Sequence, residues 1–308
     1  MQIITSLDNL QLTNNSAVAI GKFDGIHLGH RQLLDEIVAK KKEGLQAVVF
    51  TFNPSPSVLF SKVKEKELTS LEEKRDIFES IGIDVLIEFP LTYETAATPK
   101  EVFVEDILVR KMKAKYIVAG TDLSFAKNGE GNSDYLIEKS RELDFEVKII
   151  NKIMYAGEII SSTAVRSAIA KGDVEKACNM LGMPYFVQGV VEEGKQIGRT
   201  IGFPTVNLIP REEKLLPTNG VYFTKVVIGD KEYSAITNVG CKPTVTDDKQ
   251  IFVESYLYDF NDYIYGEKIK VLFLKFMREE KKFNNLDELK TQLQLDLNAG
   301  KWLIWGKC

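Results

Sequence analysis

Residues 19–30 read Ala19-Ile20-Gly21-Lys22-Phe23-Asp24-Gly25-Ile26-His27-Leu28-Gly29-His30. The stretch starts at the end of a short apolar run that favours a β-strand, and it leads into a pattern typical of a helix. A glycine-rich junction between a strand and a helix presents backbone N–H groups and the positive end of the helix dipole to an anion. The sequence therefore predicts a phosphate site within an α/β fold.

The two histidines of the chain, His27 and His30, both lie in this motif. Imidazoles beside phosphates can donate hydrogen bonds to oxygens whose negative charge grows during substitution at phosphorus. Two other interpretations are that the histidines are surface or hydrogen-bonded core residues, and that they are a metal-binding pair. A zinc site usually needs a third protein ligand, and its ligands are not usually embedded in a glycine-rich loop. We therefore favour a role of the two histidines in phosphate binding.

The pattern on both sides of the motif indicates the fold of the first half. Five short β-rich runs alternate with helical patterns, at residues 17–20, 47–52, 85–89, 116–119 and 145–150. Capping-box patterns predict that two of the intervening helices start at Ser70 and Thr98. Such alternation predicts a parallel sheet covered by helices.

The second half of the sequence has a different pattern of predicted secondary structure. Helical patterns at 163–170 and 173–181 end at Gly182-Met183-Pro184, which we predict to separate two domains, residues 1–183 and 184–308. Strands and turns follow, with runs at 222–228 and 232–236 joined through Gly229-Asp230, a tight-hairpin signal. Leucines at helical spacing predict a C-terminal helix over 285–297. The second domain is thus expected to be a mostly antiparallel β-barrel with a C-terminal helix.

Length and composition exclude several classes of protein. With 308 residues the chain exceeds a typical single domain, and its net charge of −4 argues against a non-specific nucleic-acid or membrane-surface binder. Cys178, Cys241 and Cys308 are scattered, which suggests neither disulfides nor a zinc site. No basic segment precedes an apolar stretch at the N-terminus, and no apolar run approaches bilayer length, so we expect a cytoplasmic protein.

Three segments of the first half resemble the H-x-G-H nucleotidyltransferase superfamily and, more narrowly, bacterial FAD synthetases. They are the two-histidine motif, Ile160-Ser161-Ser162-Thr163-Ala164-Val165-Arg166, and Val118-Ala119-Gly120-Thr121-Asp122-Leu123-Ser124-Phe125. The resemblance implies a Rossmann-like FMN adenylyltransferase domain whose ATP-binding residues are Gly21, Phe23, Asp24, Gly25, His27, His30, Asp122, Ser162, Thr163 and Arg166, with His27 and His30 catalytic. The chain departs from the family at Ser55, where histidine is usual, at Ala126, where glycine is usual, and at Gly129, where a basic residue is common.

The segment from Gly189 to Leu208 resembles riboflavin kinases, with Gly202-Phe203-Pro204-Thr205-Val206-Asn207 as its core. The resemblance implies ATP- or flavin-binding roles for Gly194, Lys195, Gly198, Arg199, Gly202, Pro204, Thr205, Asn207 and Arg278. The Thr205 hydroxyl and the Asn207 amide oxygen are hard ligands suited to Mg²⁺. Glu254 is the candidate general base, since phosphorylation of an alcohol requires removal of its proton. Alternatively, Glu254 is a glutamate on the solvent-facing side of a strand. The alternation of side chains along a strand does not by itself show which of its two faces is exposed to solvent.

The two resemblances together predict a bifunctional enzyme. It would phosphorylate riboflavin to FMN with ATP and Mg²⁺, then adenylylate FMN to FAD with a second ATP and release pyrophosphate. Its partners would be these small molecules rather than nucleic acid or membrane, and the sequence leaves the oligomeric state open. Two alternatives are a riboflavin kinase with a degenerate adenylyltransferase domain and a flavin-binding regulatory protein.

Overall fold

The computed structural model describes residues 1–60, 65–193, 203–243 and 249–305. The chain divides into two compact units, Met1–Ser162 and Thr163–Cys308. The domain boundary predicted after Met183 lies later in the chain than this division and stays a prediction. Within the described ranges, no helix is long and apolar enough to cross a membrane.

The first unit is built on a six-stranded parallel sheet. Its strands, together with four short ones, are β1 (Gln2–Ile4), β2 (Ser16–Ile20), β3 (Gln46–Asn53), β4 (Val85–Pro90), β5 (Ala114–Gly120), β6 (Ser124–Phe125), β7 (Gly131–Asn132), β8 (Glu146–Ile150), β9 (Met154–Tyr155) and β10 (Glu158–Ile159). The order in the sheet is β1-β4-β3-β2-β5-β8, and every neighbouring pair is parallel. The predicted parallel α/β fold is confirmed.

Helices connect these strands. They are α1 (Leu28–Ala39), α2 (Pro56–Phe60), α3 (Leu71–Ile81), α4 (Lys100–Val102), which continues as a π-helix over Phe103–Lys111, and α5 (Ser133–Leu143). The capping box predicted at Ser70 is confirmed: its hydroxyl accepts from the Glu73 N–H at 3.2 Å, and Glu73 accepts from the Ser70 N–H at 2.8 Å. The one predicted at Thr98 is wrong, because Pro99 is the N-cap and the Thr98 hydroxyl donates to the carbonyl of Thr95 instead.

The strand order of the sheet reverses beside β2, where a ligand crevice is expected. The chain runs from β2 to β3 and β4 on one side, whereas β5 and β8 lie on the other side. In open α/β sheets, ligands bind outside the carboxyl ends of the strands where the order reverses in this way. The two-histidine segment follows β2 directly, and residues 121–123 follow β5, so both lie at this edge of the sheet.

The second unit contains a closed barrel. Its elements are α6 (Ser162–Ala170), α7 (Val174–Leu181), β11 (Tyr185–Glu192), β12 (Val206–Leu208), β13 (Gly220–Ile228), β14 (Lys231–Pro243), β15 (Lys249–Leu257), β16 (Lys268–Arg278) and α8 (Leu286–Trp305). The barrel order is β11-β12-β15-β14-β13-β16, with antiparallel neighbours throughout. The predicted barrel, its hairpin through Gly229-Asp230 and the C-terminal helix are confirmed.

The two faces of the barrel wall differ in chemistry. The buried hydroxyls of Thr224, Thr237 and Ser255 form a chain, with oxygen separations of 2.7 and 2.8 Å. Residues of the opposite face, among them Ile236, pack with Leu297 of α8. Because side chains alternate along a strand, neighbours of the buried hydroxyls must face away from them.

Candidate active sites

The loop between β2 and α1 has an unusual backbone. Phe23, Gly25 and Ile26 have φ values of 48°, 83° and 45°. A left-handed conformation costs a non-glycine residue about 1–3 kcal/mol and is found mainly where the surrounding structure requires it, often at functional sites. This concentration of strain supports a functional role for the loop.

Hydrogen bonds fasten the loop to the segment before α3. A carboxylate oxygen of Asp24 accepts from the N–H groups of Leu68 and Thr69 at 2.9 and 3.2 Å, and the Gly25 N–H donates to the Thr69 hydroxyl at 3.1 Å. The Ser162 hydroxyl donates to the Asp24 carbonyl at 2.8 Å. Asp24 therefore holds the loop in shape through its side chain.

The two histidines are in direct contact. Their rings stack with centroids 3.8 Å apart and an interplanar angle of 12°. His27 is the N-cap of α1, and its Nδ1 accepts from the backbone N–H of His30 at 3.3 Å. A Cβ on Gly29 would lie 3.2 Å from the His27 ring, so glycine between the histidines gives the ring room. Since Nδ1 of neutral His27 is the acceptor, its proton resides on Nε2.

His30 is half-buried and packs against aromatic rings. Phe23, which is fully buried, lies 5.1 Å from His30 and 5.7 Å from Phe78 of α3, measured between ring centroids. Nδ1 of His30 is buried and has no hydrogen-bond partner among the described residues. The Phe23 side chain therefore supports the imidazole, and only its backbone remains for contact with a ligand.

Burial keeps both imidazoles neutral. It lowers the pKa of His27 to about 4, an effect that the carboxylates of Asp122 and Asp24 oppose in part. Burial also lowers the pKa of His30 well below 6.5, and the charges of His27 and Lys74 lower it further. At neutral pH the pair therefore offers hydrogen bonds without carrying formal charge.

Acidification is expected to destabilise the protein through His27. Its folded pKa of about 4 lies below the ordinary 6.5, so the unfolded state binds more protons between these values and stability falls as the pH drops. From pH 7 to pH 5 the loss from His27 should be about 2 kcal/mol. Urea unfolding of the wild type and of His27→Asn at both pH values measures it; an equal response of the two proteins would contradict the prediction.

Asp122 follows β5, at the predicted crevice. Its carboxylate forms an ion pair with Lys152, at 2.9 Å between Oδ2 and Nζ, and both side chains are largely exposed. A Cβ on Gly120 would come within 2.9 Å of the other carboxylate oxygen. The pair with Lys152 was not predicted, because nothing in the sequence distinguishes this lysine from a surface residue.

The remaining predicted residues of the first site are placed as follows. The Gly21 N–H donates to the Phe50 carbonyl at 3.1 Å, so this glycine continues the pairing of β2 with β3. Ser162 starts α6, whereas Thr163 and Arg166 of the same helix are counted with the second unit. Ala126 has a φ of 64° and Gly129 a φ of 69°. The alanine thus keeps a backbone conformation that favours glycine.

In the second unit, Glu254 receives a hydrogen bond from Thr205. The Thr205 hydroxyl donates to Oε1 of Glu254 at 2.6 Å. Val253 and Ser255 are buried, whereas Glu254 between them is half-buried. The carboxylate therefore faces away from the buried hydroxyl chain, and it has a specific partner, unlike a merely solvated strand glutamate.

Two asparagines flank Glu254 across the sheet. Asn207 of β12 and Asn238 of β14 are each paired with it in register, so the three side chains share a face. The Asn238 amide N–H donates to Glu280 at 3.3 Å, while its buried Oδ1 has no partner among the described residues. An unsatisfied buried acceptor of this kind can receive a hydrogen bond from a bound ligand.

A cavity of about 330 Å³ lies next to Thr205, the hydrogen-bond partner of Glu254. Thr205 belongs to its wall, and the loop between β15 and β16 contributes aromatic rings. The lining residues are Val191, Pro204, Thr205, Val206, Leu257, Phe260, Asn261, Asp262, Tyr263, Ile264 and Tyr265. A concave pocket of this size with a few polar groups is typical of a small-molecule site.

Arg278 has a structural partner. Its guanidinium forms a bidentate pair with Asp296 of α8, at 2.8 and 2.6 Å, and it also donates to the Glu279 carbonyl at 2.9 Å. Both side chains of the pair are mostly buried. The contacts of Arg278 thus fasten α8 to β16.

Five of the predicted kinase residues lie outside the described residues: Gly194, Lys195, Gly198, Arg199 and Gly202. Among the residues that are described, no group of three or more histidine, cysteine, aspartate or glutamate side chains could hold a metal ion. The predicted magnesium ligands, the Thr205 hydroxyl and the Asn207 amide oxygen, are not among the side-chain types of such a group.

Comparison with known proteins assigns each half of the chain to a protein family. Residues 10–164 match the FAD synthetase family model, and residues 181–303 match the riboflavin kinase model. A bifunctional riboflavin kinase/FMN adenylyltransferase from Listeria monocytogenes is 38% identical over 92% of this chain and 90% of its own. The chain belongs to this bifunctional family.

Another member of the family agrees with that assignment, and a solved structure shares the fold. The Escherichia coli K12 riboflavin kinase/FMN adenylyltransferase is 35% identical over 96% of both chains. A crystal structure described as a macrolide-efflux protein from Streptococcus pneumoniae superposes with a TM-score of 0.87 and 31% identity, covering 98% of this chain and 99% of that one. The family and the two-activity enzyme class predicted from the sequence are confirmed.

Proposed function

We propose that the chain makes FAD from riboflavin in two steps, phosphorylation in the kinase domain and adenylyl transfer in the other. The observation that carries the proposal is that each half has its own set of converging polar side chains. The first has a stacked pair of neutral imidazoles on a strained loop. The second has a hydrogen-bonded threonine and glutamate beside a cavity.

In the kinase step Glu254 is the general base. It takes the proton of the riboflavin 5′-hydroxyl while that oxygen attacks the γ-phosphorus of ATP, and ADP leaves with the electrons of the broken P–O bond. Oε1 of the carboxylate accepts the hydrogen bond of the Thr205 hydroxyl. We assign to Oε2 the acceptance of the substrate proton. We assign to Asn238 Oδ1 the acceptance of a hydrogen bond from another hydroxyl of the ribityl chain.

The residues around Glu254 suit a magnesium ion. Thr205 gives its proton to Glu254, which leaves its oxygen lone pairs available, and Asn207 stands opposite Glu254 in the sheet. Hydroxyl and amide oxygens are hard donors of the kind that Mg²⁺ accepts. A bound Mg²⁺ would neutralise charge on the phosphates of ATP, and we assign the neighbouring cavity to that nucleotide.

Adenylyl transfer needs positioning more than proton chemistry. A phosphate oxygen of FMN, already ionised, attacks the α-phosphorus of ATP and pyrophosphate leaves, so no general base is required. The Nε2–H of His27 can donate to an oxygen on which charge develops. We also assign Ser162, whose hydroxyl donates to the Asp24 carbonyl, to the triphosphate. The same role for Thr163 and Arg166 stays a prediction from their resemblance to the superfamily motif.

The acidic net charge of −4 supports small-molecule partners rather than nucleic acid or a membrane surface. We propose a cytoplasmic location, where ATP is available. The proposal does not extend to an oligomeric state.

Chromatographic separation of flavins tests the whole proposal. Purified protein is incubated with ATP and Mg²⁺ in parallel tubes that contain riboflavin or FMN. FAD in both tubes is expected. FMN as the sole product from riboflavin would favour a kinase with a degenerate adenylyltransferase domain, and flavin binding without any conversion would favour a regulatory protein.

A further inference from the structure

Lys74 is a buried lysine whose ammonium group has no partner in the part of the chain that the structure describes. It is the fourth residue of α3 and only 5% exposed. Among the described residues, no carboxylate forms an ion pair with it and no acceptor forms a hydrogen bond with its side chain. The lysine side chain is therefore almost entirely removed from water, and its charge has no compensating group within the described ranges.

Such a charge is unfavourable where it stands. Taking an ammonium group out of water costs several kcal/mol unless a partner compensates it. The first turns of a helix carry the positive end of its dipole, which disfavours a cation further. Burial of an ammonium group without a partner therefore does not favour stability at this position.

The position of Lys74 is defined by the contacts of α3. The segment just before the helix is fastened to the two-histidine loop through Asp24 and Thr69. Phe78, one turn after Lys74 and hence on the same face of the helix, packs against Phe23, which in turn contacts His30. Lys74 is also close enough for its charge to act on His30.

His30 supplies a second unsatisfied group in the same place. Its Nδ1 is buried and lacks a partner among the described residues. A cation and an imidazole nitrogen that both lack partners, next to a strained glycine-rich loop, match the needs of an anion with several oxygens. Phosphate groups have this chemistry.

We propose that Lys74 is a further phosphate-binding residue of the adenylyl-transfer site, where its ammonium group pairs with the phosphates of ATP that leave as pyrophosphate. When the bond between the α-phosphorus and the bridging oxygen breaks, its electron pair stays on that oxygen, and a nearby cation stabilises the added charge. The inference rests on the proposed function of the first site.

The test compares Lys74→Met, which keeps the length but removes the charge, with Lys74→Arg, which keeps the charge. Lys42→Met, at an exposed lysine of the same unit, is the matched control. Calorimetric titration with inorganic pyrophosphate gives the Kd, and FAD formation from added FMN gives the KM for ATP. For Lys74→Met both constants should rise at least tenfold, while Lys74→Arg stays within about threefold of the wild type.

Thermal unfolding separates this role from a structural one. Removal of an unpaired buried charge should leave the Tm of Lys74→Met equal to or above that of the wild type, because the lost group served binding at the expense of stability. Unchanged constants in Lys74→Met would overturn the inference, and so would a lower Tm accompanied by equal losses in Lys74→Arg. A wild type that binds pyrophosphate but forms no FAD would refute the proposed activity and leave the binding test of Lys74 intact.

Discussion

Glu254→Gln is expected to stop FMN formation while FAD formation from added FMN continues at the wild-type rate. The amide has nearly the same shape as the carboxylate and can still accept the Thr205 hydroxyl, whose hydrogen bond in the wild type is 2.6 Å long. It is not basic enough to take the proton of an alcohol. General-base catalysis typically contributes about a hundredfold to ten-thousandfold, and the kinase rate should fall by that range.

The measurement is the rate of each step followed separately by flavin chromatography. Glu232→Gln, at an exposed glutamate of the same barrel whose partner is Lys225, should alter neither rate. A kinase rate for Glu254→Gln within threefold of the wild type would remove Glu254 as the base. Loss of both activities in a folded variant would contradict two independent sites.

His27→Asn is expected to lower FAD formation about a hundredfold to a thousandfold, the usual effect of removing one donor to developing charge. Asparagine was chosen because it is among the best N-cap residues. Its side-chain oxygen can replace Nδ1 of His27 as acceptor for the His30 N–H, so α1 should still begin correctly. The variant thus removes the imidazole and leaves the helix start in place.

Kinase activity is the internal control for this variant, because His27 lies in the first unit and Glu254 in the second. The rate of FAD formation is measured at saturating FMN and ATP. A normal rate would show that His27 serves only as a helix cap. A companion variant, His30→Ala, should also lose FAD formation, whereas normal synthesis there would exclude His30 from the mechanism.

Much of the fold was predictable because buried strands of a parallel sheet are continuous apolar runs. The five predicted strands lie within one or two residues of β2, β3, β4, β5 and β8. The edge strand β1, three residues long, is too short for a periodicity argument. The π-helix over Phe103–Lys111 was also missed, since its hydrogen-bond pattern is not encoded by hydrophobic spacing.

Some candidate site residues could be predicted from the sequence and others could not. The histidine motif was predictable, since residue type, glycine spacing and position after a strand all agreed. Lys74 was not, because it stands in a charged run, Glu72-Glu73-Lys74-Arg75-Asp76, that is typical of a solvated helix face. Which face of β15 carries Glu254 away from the interior could not be predicted, because it depends on the buried hydrogen bond of Ser255.

The closed barrel has a consequence for how the chain folds as it is synthesised. Strand β11 pairs with β16, so that Tyr185 lies opposite Phe273, and closure must wait until the last strand has left the ribosome. The first unit, complete at Ser162, needs no later segment for its sheet. At about 5–20 residues per second, it has several seconds to fold before the barrel can close. Non-local pairing of this kind is intrinsically slow, so partially made chains should carry a finished first domain and an open second one.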